Sequence, residues 1–150
     1  MSNPQFSQTH AILVVGAGEL GGSVLAALSR RSEAGPVTVL LRPSSTPQGA
    51  LLRADLTAQG IAVVEADVAT ASVTELSTVM RPFNTVVSCL GFAAGPGTQR
   101  KITEAALKAG VGRYLPWQFG VDYDAIGDSA PWGGGLRIGV GSRVVINESW

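Results

Sequence analysis

The feature that most constrains this chain is an unbroken apolar run, Ala11-Ile12-Leu13-Val14-Val15, that passes straight into Gly16-Ala17-Gly18-Glu19-Leu20-Gly21. A short continuous run of this kind is the pattern of a strand buried on both faces, as in a parallel sheet. A helix is expected next, because Leu20, Val24 and Leu28 recur every four residues, with Arg30, Arg31 and Gly35-Pro36 marking its stop. Between strand and helix the three glycines have separate uses. Gly16 permits a tight turn, Gly18 lets the backbone approach a pyrophosphate, and Gly21 lets the helix pack on the strand. The free amides of the helix start then face the phosphates. With 19 glycines in the chain, the spacing alone is weak evidence. Its place between a buried-type strand and an amphipathic helix is what points to a dinucleotide rather than a plain connecting turn.

The alternation continues. Val37 to Leu41 reads as a second strand, Gln48 to Gln59 as a helix, and Ile61 to Glu65 as a third strand. Ala71 to Met80 is a short helix with Ser72 as cap and Glu75 as its capping-box partner, closed by Pro82. Thr85 to Leu90 is a fourth strand. Thr98 to Ala109 is a fourth helix with Ile102, Ala105, Ala106 and Ala109 facing inward and Gly110 as its stop. Arg113 to Pro116 gives a short fifth strand. The expected fold is α/β: a Rossmann-type, doubly wound parallel sheet in the order 3-2-1-4-5, with right-handed crossovers.

After about Gly127 the helical period is lost, and Pro131 to Gly141 carries five glycines. Leu136 to Val140 and Arg143 to Asn147 are expected to pair as a hairpin across Gly141-Ser142, or the tail is irregular. The domain reading is a nucleotide-binding unit over residues 1–127 and a glycine-rich tail over 128–150, with no substrate domain.

The residue after the second strand separates the two nicotinamide dinucleotides, since a carboxylate there bonds a ribose 2′-hydroxyl and an arginine accommodates a 2′-phosphate. Here it is Arg42, followed by Ser44, Ser45 and Thr46, with no carboxylate between Gly35 and Asp55. NADPH is therefore expected over NADH, the alternative for Arg42 being a solvated loop residue. Arg53 lies within conceivable reach of the same phosphate and reads more simply as an exposed helix residue. Glu19 should point outward, complementing the helix dipole. Asp67 either closes the adenine side or caps the next turn.

Composition narrows the partners. The 11 basic and 11 acidic residues balance, and the basic ones are scattered, so the footprint of a nucleic-acid-binding surface is missing. No segment has the length and apolarity of a membrane span, and the polar start is unlike a signal peptide, so a cytoplasmic protein is expected. Cys89 is the only cysteine, which excludes an internal disulfide and a cysteine-based metal site.

Several motifs together carry a resemblance: the glycine turn, Arg42, Cys89-Leu90-Gly91, Gly95-Pro96-Gly97-Thr98-Gln99, and Tyr114-Leu115-Pro116-Trp117-Gln118-Phe119-Gly120-Val121-Asp122-Tyr123-Asp124. Over about Ala11 to Gly127 the chain resembles the NmrA-like and isoflavone-reductase-like family, most of all its fungal aromatic-alcohol-reductase-type branch. That resemblance implies an atypical short-chain dehydrogenase that binds NADP(H). It further implies reduction of aromatic or phenylpropanoid-like substrates or, in the NmrA type, sensing of dinucleotides without catalysis.

By the same resemblance Leu90, Gly91 and Phe92 line the cofactor, and Phe119-Gly120 lies near the nicotinamide. Trp117 and Phe119 are equally readable as core anchors. The lysine that the family's reductases use after the phenylalanine-glycine pair has no counterpart, Ile138 standing in roughly its place. Lys101 and Lys108 are both on the fourth expected helix. Tyr123, Asp122 and Asp124 are conceivable acid-base groups without a recognisable partner, and His10 reads as a surface residue. The catalytic residues are thus unassigned. The departure near Asp128 fits a truncated, alternatively spliced or frame-altered product, an inactive fragment being the remaining alternative to enzyme and sensor. Such a chain would leave a sheet edge and helix faces open to self-association.

Overall fold

The structure, a computed structural model, describes residues 10–91 and 94–117. The expected tail hairpin, Phe92, Phe119-Gly120, Asp122, Tyr123 and Asp124 lie outside the described residues. Among the described residues nine elements alternate strictly: β1 (Ile12–Val15), α1 (Glu19–Ser29), β2 (Val37–Leu41), α2 (Pro47–Ala58), β3 (Ala62–Glu65), α3 (Val73–Met80), β4 (Thr85–Ser88), α4 (Thr98–Ala109) and β5 (Arg113–Leu115). The strands form one five-stranded sheet in the order β3-β2-β1-β4-β5. Every pairing is parallel, with Val14 facing Val39 on one side and Val87 on the other.

Because side chains alternate across a strand, β1 feeds two separate cores. Leu13 and Val15 join Leu76, Met80, Ile102, Ala105, Ala106 and Tyr114 beneath α3 and α4. Val14 joins Leu25, Val37, Val39, Leu56, Ile61, Val87 and Cys89 beneath α1 and α2. This is the doubly wound Rossmann-like arrangement. Among the described residues no helix is long and apolar enough to cross a membrane.

Three details correct the sequence reading. On α1 the deepest residue is Leu25, 1% exposed, while Leu20, Val24 and Leu28 are half-buried at its flanks. A four-residue step drifts around a helix of 3.6 residues per turn, so the inward stripe is centred beside the line those leucines and valine mark. β3 is an edge strand whose Ala62 and Glu65 are exposed, since only β2 pairs with it. β4 ends at Ser88 rather than Leu90, because the chain leaves the sheet there to form the loop into α4.

Helix boundaries follow local chemistry. Ser72 accepts from the Glu75 amide at 3.1 Å while the Glu75 carboxylate accepts from the Ser72 amide at 2.7 Å, a complete capping box. α2 begins at Pro47 behind Thr46, whose hydroxyl accepts from the Gly49 amide at 3.1 Å. α4 ends on Gly110 at φ 69°. Its two lysines tie it to neighbours: Lys101 Nζ donates to the Val68 and Ala69 carbonyls at 3.0 and 2.9 Å, and Lys108 Nζ to Thr74 Oγ1 at 2.7 Å. Lys101 is thereby held to the loop after β3, and Lys108 to α3.

Candidate functional site

In an open parallel sheet the ligand crevice lies beyond the carboxyl ends of the strands, where the chain reverses direction across the sheet. Here that point falls between β1 and β4, since β2 and β3 lie on one side of β1 and β4 and β5 on the other. The Gly16 amide donates to the Leu40 carbonyl at 3.0 Å and the Cys89 amide to the Val15 carbonyl at 2.9 Å. The glycine turn is thereby fastened between the ends of β2 and β4, with Leu90 and Gly91 beside it.

The three glycines are required for different reasons. Gly16 has φ +94°, and a Cβ on it would meet Leu90 Cδ2 at 2.7 Å. Gly21 faces inward, where a Cβ would run into the Gly16 carbonyl and come within 3.4 Å of Cys89 Cβ. Gly18 is different: its φ is −69°, which any residue adopts, and among the described residues nothing lies within 4 Å of where its Cβ would stand. The protein itself makes no use of that missing side chain, so the space above Gly18 is an open cradle.

Helix α1 starts on Gly18 with no side-chain cap, and its first hydrogen bond runs from the Gly22 amide to the Gly18 carbonyl at 2.7 Å. The amides ahead of Gly22 are left pointing out of the helix end, with the positive end of the dipole behind them. Ala17 and Leu20 pack inward. Glu19 is exposed, clear of the interior as its charge requires.

On the far side of the crevice α4 also opens on glycine, Gly97 at φ 79°, without a side-chain cap. Its first turn holds a residue whose role the sequence did not reveal. Gln99 Nε2 donates to the Leu90 carbonyl, fixing the loop that carries Leu90 against Gly16. The other end of this amide, Gln99 Oε1, is buried and has no hydrogen-bond partner. No periodicity marks Gln99, because it acts on a loop rather than on a core face. Below it, Thr103 Oγ1 lies 3.2 Å from the hydroxyl of buried Tyr114. Burial pushes the Tyr114 hydroxyl up; the Thr103 and Ser88 hydroxyls oppose that rise, although Ser88 Oγ falls short of hydrogen-bond geometry. Trp117 is half-buried with its ring 3.5 Å from where a Gly91 Cβ would stand, which puts it against the crevice loop. Burial pushes the Cys89 thiol up to about 11, which disfavours the thiolate that a nucleophile needs.

Beyond β2, Arg42 is the exposed partner of Asp67, Nε to Oδ1 3.8 Å, with 70% of its side chain accessible. Asp67 Oδ1 also accepts from the Ala69 amide at 2.9 Å, so Asp67 closes its own turn while steadying Arg42. Ser44 Oγ lies 2.9 Å from Thr46 Oγ1. Arg53 is not a plain exposed helix residue: its Nε donates to Glu65 Oε1 at 2.6 Å, and its side chain is only 26% accessible.

A glycine turn at the switch point of a doubly wound parallel sheet, opening an uncapped helix, defines a Rossmann-like nucleotide-binding class of domain. The model of the NmrA-like family matches residues 8–132, and the chain belongs to that family. It is 46% identical over 123 residues to an NmrA-like family domain-containing oxidoreductase of Gibberella moniliformis, covering 77% of this chain and 40% of that protein. Among solved structures it is similar to AtPrR2 in complex with NADP+ and (+)pinoresinol, at 27% identity and TM-score 0.67, covering 81% of this chain and 40% of that one. The fold is also that of leucoanthocyanidin reductase of Vitis vinifera, solved with NADPH, at 24% identity and TM-score 0.66, again over 81% and 40% of the two chains. The chain thus spans about two fifths of the length of these relatives.

Proposed function

We propose that this chain is the dinucleotide-binding part of an NADPH-dependent oxidoreductase of the isoflavone-reductase-like type, acting on aromatic or phenylpropanoid-like substrates. The observation that carries the first half is the open cradle over Gly18 at the uncapped start of α1. Outward-facing amides, the dipole and a side-chain-free approach suit a pyrophosphate. Arg42, extended beyond β2, supports a 2′-phosphate. The likeness to AtPrR2, which is described with NADP+ and (+)pinoresinol, and to an NmrA-like oxidoreductase supports the cofactor and the substrate class.

When bound, NADPH supplies a hydride. This chain's residues bind and orient it: Gly16 to Gly21 take the pyrophosphate, Arg42 and Ser44 the ribose phosphate, and Leu90 and Gly91 the wall toward the nicotinamide. Lys101 and Lys108 are tied to α3 and its preceding loop. That engagement favours, as a second reading, a dinucleotide sensor that needs no catalytic lysine.

Calorimetric titration with NADPH and NADH tests the binding claim. NADPH should bind at least about tenfold more tightly, one charge-assisted contact being worth about 1.5–3 kcal/mol, and Arg42→Ala should narrow the difference. Equal affinities in the wild type would overturn the role given to Arg42. Oxidation of NADPH with an aromatic aldehyde or phenylpropanoid present separates enzyme from sensor.

A further inference from the structure

We propose that Arg53 is a second guanidinium of the 2′-phosphate site, pre-aimed by Glu65 and admitted by the missing side chain of Gly49. The inference rests on the NADPH reading above and adds a specificity residue to it. Three observations converge. First, Arg53 is anchored through one edge only, Nε and Nη2 both engaging Glu65 Oε1. Second, the remaining nitrogen, Nη1, lies 3.2 Å from the point where a Gly49 Cβ would stand, and Ser44 Oγ lies 2.5 Å from that same point. Arg53 and Ser44 therefore close on one spot in the first turn of α2.

Third, the carboxylate that holds Arg53 stands beside the strand end from which Arg42 extends. Leu41 pairs with Glu65 in the β2–β3 register, so the residue after Leu41 and the carboxylate that holds Arg53 share one end of the sheet. Arg42 is held there by Asp67 and Arg53 by Glu65. The first turn of α2 carries no acidic residue, in contrast to Glu19 in α1 and Glu75 in α3. Two guanidiniums, a serine hydroxyl and the positive end of a helix thus border one exposed corner. A phosphate monoester suits such a corner, and a ribose hydroxyl would gain little from it. Holding one edge of a planar guanidinium in an ion pair removes most of the side-chain freedom that binding would otherwise have to freeze.

The test is titration of the full chain and three variants with NADPH and with NADH. Arg53→Ala should lower NADPH affinity about tenfold or more, the scale of one charge-assisted contact, and leave NADH affinity unchanged. Arg53→Lys should recover part of the loss. Gly49→Ala, which favours the helix but crowds Ser44 and Arg53, should keep or raise the melting temperature while weakening NADPH alone. A wild type that prefers NADPH, with Arg42→Ala erasing that preference and Arg53→Ala matching wild type, would sink the proposal for Arg53 while sparing the NADPH reading. An equal loss for both dinucleotides in Arg53→Ala would also sink it, as an effect on the fold. A wild type without preference would show that the reading beneath it had failed.

Discussion

Helices α2 and α3 begin with a side chain folded back onto their own backbone, Thr46 in one and Ser72 in the other. Helices α1 and α4 begin on Gly18 and Gly97 with no such cap. The difference follows position. The uncapped pair succeeds β1 and β4, the two strands that flank the switch point, while the capped pair succeeds β2 and β3. A cap is worth about 1 kcal/mol, so the two helices at the crevice forgo a stabilisation that their neighbours keep. Unsatisfied amides at a helix start are an anion site in waiting. The contrast teaches that the helix starts beside the crevice leave their amides open, while those of α2 and α3 satisfy theirs with their own side chains.

The sharpest way to break this comparison is to convert an uncapped end into a capped one. Gly18→Asp meets no neighbour among the described residues, where nothing lies within 4 Å of the Cβ position. It should stabilise the fold by only a few tenths of a kcal/mol relative to glycine. The new carboxylate would occupy the cradle and repel a pyrophosphate, so dinucleotide affinity should fall on the order of a hundredfold, the scale of a lost charge-assisted contact. Unchanged binding by calorimetry would refute the role of the α1 amides.

Next in size is Gly21→Ala, which puts a Cβ against the Gly16 carbonyl. Urea denaturation should show a loss of about 1–3 kcal/mol from overpacking. A stable Gly21→Ala protein would mean that the turn is looser than its geometry implies. At the capped ends the prediction reverses. Ser72→Ala should cost about 1 kcal/mol in stability and leave dinucleotide affinity as it was. A change in affinity there would erase the division between the two kinds of helix end.

The smallest effect is in pH. Hydrogen bonds from the Ser72 backbone, and then its side chain, hold the Glu75 carboxyl below the usual carboxylate range. A depressed acid contributes stability above its unfolded value and loses it as pH falls through the folded one. Acidification from neutral should therefore weaken α3 through that window, and Glu75→Gln should flatten this part of the stability curve. An identical acid profile for wild type and Glu75→Gln would count against the capping box.

Much of this was legible in the chain. The run from Ala11 to Val15, the capping-box pair Ser72 and Glu75 and the stop at Gly110 fixed local structure by short-range chemistry, and strict alternation with right-handed crossovers left the observed strand order. Other features had no local signal. Gln99 reaches the Leu90 carbonyl across a loop, and Arg53 finds Glu65 on an adjacent strand. Neither carries a periodicity, because each acts across space rather than along an element.

The sequence by itself therefore determined which segments are strands and helices, and the glycine turn that joins the first two, and it left few orders in which they could stack. These rest on backbone geometry and apolar period, which are written locally. Only the tertiary structure decided which atoms stand against each glycine of that turn. Gly16 and Gly21 are filled by Leu90, by the turn's own carbonyl and by Cys89, while Gly18 faces open space. Leu90 and Cys89 come from the loop after β4, and no reading along the chain names them as the turn's neighbours.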